Sequence, residues 1–361
     1  MIQSCLILIS LIWPFGQLLS FSISSLPFTI YALDIVVAVL FLMLALSRDR
    51  KTVFNTPLSK SLYAFLAIVS LSLLINYKIV ITSGIYQTLF YALRLLIYPS
   101  IYFAISFVGY RKISKYITIS VIIFSLLGLI QYLLFPDMRF LKNLGFDDHY
   151  FRLIGSLYDP NYTGALFCCI SLFLIAKKRY LYSIPLIGLL ALTFSRASYL
   201  GFAVGLAYIL ISQKKIRLIL FFIILALTIF FIPKPFGEGV NLTRTFSIFS
   251  RIESWKQGFA LFVQKPLLGW GYNTLRGVGG TRFAIDNSFL FVLATTGLAG
   301  LAAYLSILIR GFRSSVIAVK PVIVSLFVHA LFNNTLLYIW ITAALWLLFS
   351  IQESSGSKNK S

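Results

Sequence analysis

"DNSFLFVLATTGLAGLAAYLSILIR" occupies residues 286–310, and its reading decides the fold. No charged side chain interrupts 287–309. A helix of ~20 apolar residues crosses a ~30 Å hydrocarbon core, so the stretch predicts a membrane span with an aspartate at its mouth. Working outward, apolar runs of similar length follow one another from end to end. The chain is 59% hydrophobic and 11% charged, with a mean hydropathy of +0.92, whereas about a quarter of a soluble domain is charged. Lipid satisfies no backbone polar group, so spanning segments must be helices or closed barrels, and these runs lack the alternation of barrel strands.

The expectation is an all-α polytopic membrane protein, residues 1–361 forming one membrane domain of about twelve helices. They are placed near 3–21, 29–46, 58–76, 85–108, 117–135, 161–176, 181–194, 198–212, 217–232, 287–309, 321–337 and 338–351. The N-terminal run has no basic residue ahead of Arg48 and so lacks the charged start of a secretory signal; it is counted as the first span. The basic clusters at 47–51, 110–115, 177–179, 213–217, 310–313 and the tail then fall on one side, which the positive-inside bias makes cytoplasmic together with both termini. Residues 233–286 become a large outer loop. Most of the net charge of +21 is explained as loop anchoring, without nucleic acid. Several arginines nevertheless sit on the outer face, where the bias should deplete them, and they predict an anionic partner there.

Cys5, Cys168 and Cys169 fall within spans and read as small buried hydrophobes. No phosphate-binding glycine loop, HExxH or paired-cysteine motif occurs, so nucleotide hydrolysis and zinc chemistry have no footing, and no metal or cofactor is expected.

Four polar islands at the outer face hold the candidates. In "RLIGSLYDPNYTGALF" (152–167), Asp159, Pro160 and Asn161 read as a turn and helix start, which leaves Arg152 unexplained. In "LTFSRASYLGF" (192–202), Arg196 either snorkels to the headgroups or serves a site. In 243–280, Phe246, Phe249, Ile252, Phe259 and Phe262 recur mostly in steps of three, among polar Arg251, Glu253 and Lys256. That is the pattern of an amphipathic helix on the membrane surface, with Arg244, Arg251 and Trp255 on one face. The fourth island is Arg282, Asp286 and Asn287, where Asp286 reads either as helix cap or as a catalytic carboxylate.

The islands come in an order that resembles the O-antigen ligase and O-antigen polymerase (Wzy) family of bacterial membrane glycosyltransferases. The resemblance covers roughly residues 150–310 and is carried by "GSLYDPNYTGALF", "TFSRASYLGF", "SRIESWKQGFALFVQKPLLGWGYNTL" and "DNSFLFVLATTGLAGLAAYL". It implies a GT-C-like, metal-independent enzyme in the bacterial inner membrane with its active site facing the periplasm. Such enzymes move a glycan from undecaprenyl diphosphate to a sugar hydroxyl, and a flippase and a chain-length regulator are the implied partners. By motif position, Arg196 and Arg251 correspond to arginines that engage the donor diphosphate. Arg152, Arg244, Arg282, Asn161, Asn287, Trp255 and Glu253 are the further substrate-binding candidates. Ligases of the family carry a histidine where this chain has Asp286, and that departure favours a polymerase of lipid-linked repeat units over a ligase acting on lipid A core. A lipid-linked oligosaccharide flippase is the alternative of another class. It would need polar residues along a central cavity, and the first-half spans offer mainly Asp34 and Arg94.

Overall fold

The computed structural model describes residues 1–22, 26–213, 238–242, 245–278 and 285–352. It is mostly helical. We label the helices α1 (Ile2–Ile12), α2 (Ala32–Ala45), α3 (Ser59–Ile75), α4 (Ile85–Ile97), α5 (Ser100–Val108), α6 (Ser114–Leu134), α7 (Pro160–Ala176), α8 (Tyr180–Leu192), α9 (Arg196–Ser212), α10 (Phe246–Gln264), α11 (Ser288–Ser314), α12 (Lys320–Ala330) and α13 (Ile339–Ser350). Among the described residues, Ile2–Leu19, Ile85–Val108, Ser114–Leu134 and Ser288–Ser314 are long and apolar enough to cross a membrane, and seven shorter apolar helices accompany them. The segment expected at 217–232 lies outside the described residues.

Several expected continuous spans are interrupted, each for a local reason. α1 gives way to a 3-10 stretch at Trp13–Leu19, where Pro14 and the left-handed Gly16 (φ 53) end the α-helical ladder. A short antiparallel hairpin, Ser20–Ser22 with Thr29–Tyr31, then delays α2 to Ala32. The run at 85–108 is split by Pro99 into α4 and α5. The run at 321–337 stops at Ala330, and a turn and a 3-10 stretch at Thr335–Leu337 follow.

The charges of the first half form a lock. Arg94 of α4 grips Asp34 of α2 with two bonds, Nε–Oδ1 at 2.9 Å and Nη2–Oδ2 at 2.6 Å, and Tyr98 donates to the same carboxylate at 2.9 Å. Asp34 also accepts the Tyr31 amide at 3.0 Å. A buried pair this fully bonded fixes the register of two helices.

The largest departure lies inside the opening stretch. α11 is broken at Gly297, with φ 67 and ψ -169, a conformation essentially closed to residues with a Cβ. A break leaves amides and carbonyls without helical partners, and the Pro266–Gly271 loop supplies them. Leu298 N donates to Pro266 O (2.8 Å) and Ala299 N to Leu267 O (3.3 Å). In return Trp270 N donates to Ala294 O (3.1 Å) and Gly271 N to Thr295 O (2.9 Å). Ser72 of α3 closes the seam from the other side, its hydroxyl lying 2.5 Å from Leu268 O and 3.1 Å from Thr295 O. The loop and the broken helix are therefore spliced into one unit, and this unit holds α10 against the start of α11.

Candidate active site

Three helix starts meet at one end of the second half: α7, α9 and α11. Each is capped by its own side chain. Asp159 accepts the amides of Asn161 (2.6 Å) and Tyr162 (3.2 Å), Ser195 accepts the Ser198 amide, and Asn287 accepts those of Phe289 and Leu290, both at 3.0 Å. Ser195 also donates to Asn161 Oδ1 at 3.0 Å, tying α9 to α7. Because Ser195 is the cap, Arg196 is the first residue of α9; the turn sits at Thr193–Ser195 and not at Ser195–Ser198.

The amphipathic helix expected in the outer loop is α10. Its residues Ile248, Arg251, Ile252 and Trp255 share one face by their three- and four-residue spacing. That face, with Arg196, Ala197 and Leu200 of α9 and with Phe332, lines a cleft of about 400 Å³. The cleft is apolar on its walls and carries two guanidinium groups. Arg196 is held by α10 and the segment before it, its Nη2 donating to Ser247 Oγ at 2.6 Å and its Nη1 to Leu242 O at 3.2 Å. Arg251 donates to Asn333 Oδ1 at 3.3 Å.

Asp286 is fastened to the same wall. Its amide donates to Ser254 Oγ (2.9 Å) and its carbonyl accepts from the Trp255 indole (3.2 Å). Gly258 permits this approach, since a Cβ there would press on Leu290 and Ile285. The Asp286 carboxylate makes no hydrogen bond to another described residue. Burial pushes its pKa above the ordinary carboxylate value, while the Arg251 charge pulls the other way. Burial likewise lowers the pKa of Arg251, which Asp286 counteracts and Arg196 reinforces. Arg251 thus senses both Asp286 and Arg196, with no ion pair between Arg251 and Asp286 among the described residues. Arg282, the basic residue of the same island, lies outside the described residues, as does Arg244.

The remaining candidates are used differently. Arg152 is 6% exposed and donates to the carbonyls of Thr193 (3.0 Å) and Phe194 (3.3 Å), closing the end of α8. Glu253 faces outward and accepts from Gln257 at 3.1 Å. Asn161 and Asn287 hold helix starts, and Trp255 lines the cleft. Sequence reasoning did not single out Phe332 or Asn333. The signal was the polar pair Asn333–Asn334 interrupting an otherwise apolar run.

Residues 181–305, which include Arg196, α10, Asp286 and the first half of α11, match the family model described as O-antigen ligase. That match supports membership in the O-antigen ligase and polymerase family. Members of that family are glycosyltransferase-like enzymes, and the match suggests a ligase- or polymerase-type function and implies lipid-linked oligosaccharide substrates in a membrane. No curated protein matches the chain.

Proposed function

We propose that the protein is a polymerase of lipid-linked oligosaccharide repeat units, acting at the outer face of the bacterial inner membrane with both termini in the cytoplasm. The observation that carries this reading is the cleft between α9 and α10. It offers two arginines to an anion and an aliphatic and aromatic wall to a hydrocarbon, the two halves of a polyprenyl diphosphate. Guanidinium forks match phosphate oxygens and stay charged at any relevant pH.

In the reaction, an acceptor sugar hydroxyl attacks the anomeric carbon of the donor glycan. The new glycosidic C–O bond forms as the anomeric C–O bond to the diphosphate breaks, and undecaprenyl diphosphate leaves with the electron pair. Arg196 and Arg251 stabilise the charge gathering on that leaving group in a partly dry site. Asp286 receives or orients the hydroxyl proton, a task suited to a carboxylate whose burial makes it more basic than usual. The arginines occupy the role a divalent cation would play, and a metal-independent transfer follows from that assignment.

Asp286 in place of the ligase histidine supports polymerase over ligase. The test uses purified protein, a defined undecaprenyl-diphosphate repeat unit and a gel. A ladder of products is expected from donor alone. A single product appearing only when lipid A core is added would establish the ligase instead, and movement of intact donor across the bilayer without any new bond would establish the flippase.

A further inference from the structure

Behind the cleft, His329 of α12 is 2% exposed and takes part in a directed chain of hydrogen bonds that ends on Arg251. Its Nδ1 lies 2.6 Å from Thr335 Oγ1, and the Thr335 hydroxyl itself points to Asn333 O at 3.4 Å. Assigning the Thr335 hydroxyl to that carbonyl makes it accept from the imidazole, which places the proton on Nδ1 and the lone pair on Nε2. Asn333 Nδ2 lies 3.5 Å from that Nε2, which turns Asn333 Oδ1 toward the Arg251 guanidinium, 3.3 Å away. The Asn333 backbone is fixed as well, since its carbonyl accepts from Ser288 Oγ at 3.2 Å and Ser288 in turn accepts the Leu336 amide at 3.1 Å. This assignment satisfies the links to Thr335 and Asn333, and the imidazole also faces the Asn161 backbone.

We propose that His329 and Asn333 are positioning residues that aim the Arg251 guanidinium at the donor diphosphate; this rests on the reading of the cleft given above. The chemistry of the chain suits that task. A carboxylate beside Arg251 would hold it equally well but would cancel the charge the ligand needs, whereas an amide oxygen orients the planar fork and leaves its charge available. The amide needs its own orientation, because a flipped Asn333 would present its NH₂ to the guanidinium. The neutral imidazole prevents the flip by accepting from Nδ2. The bonds of His329 itself end in the turn after α12, at Thr335 and Asn333, and Asn333 carries the chain on to Arg251, which lines the cleft.

The experiment is a double-mutant cycle on full-length protein in nanodiscs, with undecaprenyl diphosphate as the probe and its Kd as the readout. His329→Leu should weaken binding about tenfold, and it should weaken it no further in an Arg251→Ala background, because the histidine acts through that arginine. His329→Gln, whose side-chain oxygen can accept from Asn333, should recover most of the loss. Asn333→Ala runs the same cycle without altering the buried helix, so the inference stays testable if His329→Leu folds poorly. An equal loss in both backgrounds would show a general structural role and overturn the inference. So would unchanged binding by His329→Leu and Asn333→Ala where Arg251→Ala binds weakly, a result that leaves the donor site standing. Unchanged binding by Arg251→Ala itself would remove the donor site and this inference together.

Discussion

Asp286 and Asn287 divide the entrance of α11 between them. Asn287 Oδ1 receives the amides of Phe289 and Leu290 at 3.0 Å, and the Asp286 carboxylate, one residue earlier, takes no part in the cap. The two side chains should therefore separate cleanly under substitution. Asn287→Ala should cost about 1 kcal/mol of stability, the usual value for a lost cap, read as a lower unfolding temperature in detergent. Asp286→Asn should leave membrane levels unchanged and reduce polymerisation by roughly a hundredfold or more. Wild-type polymer from Asp286→Asn would end the catalytic role of that carboxylate.

Acid should switch the enzyme off at a pH set by Asp286. Its pKa is raised by burial against the opposing pull of Arg251, and in the proposed role the working form is the ionised one, so the rate should fall as pH drops through that raised value. The acid limb should disappear from the residual activity of Asp286→Asn. For stability the sign is opposite to that of a paired carboxylate: a group that holds its proton more tightly when folded disfavours the fold once pH rises above its unfolded pKa. At neutral pH, Asp286→Asn removes that penalty, so thermal melts should show no loss of stability. A variant less stable than the wild type at pH 7, by more than at pH 4, would contradict the assignment.

For the arginines, Arg196→Ala and Arg251→Ala should each slow polymerisation by roughly a hundredfold, corresponding to ~3 kcal/mol of transition-state stabilisation. Lysine should rescue neither fully, because it keeps the charge but loses the fork. Chelators should leave the rate unchanged if these side chains carry the charge stabilisation. Full activity in both alanine variants, or strict dependence on Mg²⁺, would count against the site.

The splice at Gly297 should be intolerant of any side chain. A Cβ there would overlap the Leu267 carbonyl, on top of the cost of about 1–3 kcal/mol for holding a residue in a region reserved for glycine. Gly297→Ala should reduce the yield of folded protein in size-exclusion profiles, while Gly188→Ala, with open space around its Cβ position, should not.

The orientation can be read from labelling. Cys5, Cys168 and Cys169 are buried, and a cysteine-free background permits single probes. A cysteine at exposed Asn143 should react with an impermeant maleimide in cells whose outer membrane has been opened, whereas one at Asp49 or Lys178 should react only after lysis. The reverse pattern would place the cleft in the cytoplasm.

What could be read from the residues was what local chemistry determines. Asp159 followed by proline foretold a capped helix start, and the spacing of Phe246 to Phe262 foretold α10. The arginines stood out because charge is scarce in such a chain. The break at Gly297 was invisible, since "TTGLAG" continues an apolar run and its hydrogen-bond partners lie some thirty residues upstream in a different motif. Arg152 shows the same limit from the other side: an arginine near the membrane boundary advertises a charge, and only the fold reveals that its donors are directed at the carbonyls of Thr193 and Phe194.

The splice also governs which parts can move. α10 is stapled to the interior of α11 through the Pro266–Gly271 loop, and to its entrance through Ser254 and Trp255, so Arg251 and Asp286 travel as one rigid body. Across the cleft, Arg196 of α9 reaches this unit by donating to Ser247 and Leu242. In the proposed role, donor phosphate oxygens would compete with Ser247 and Leu242 for the Arg196 guanidinium, so donor binding and the contact between α9 and α10 would share one side chain.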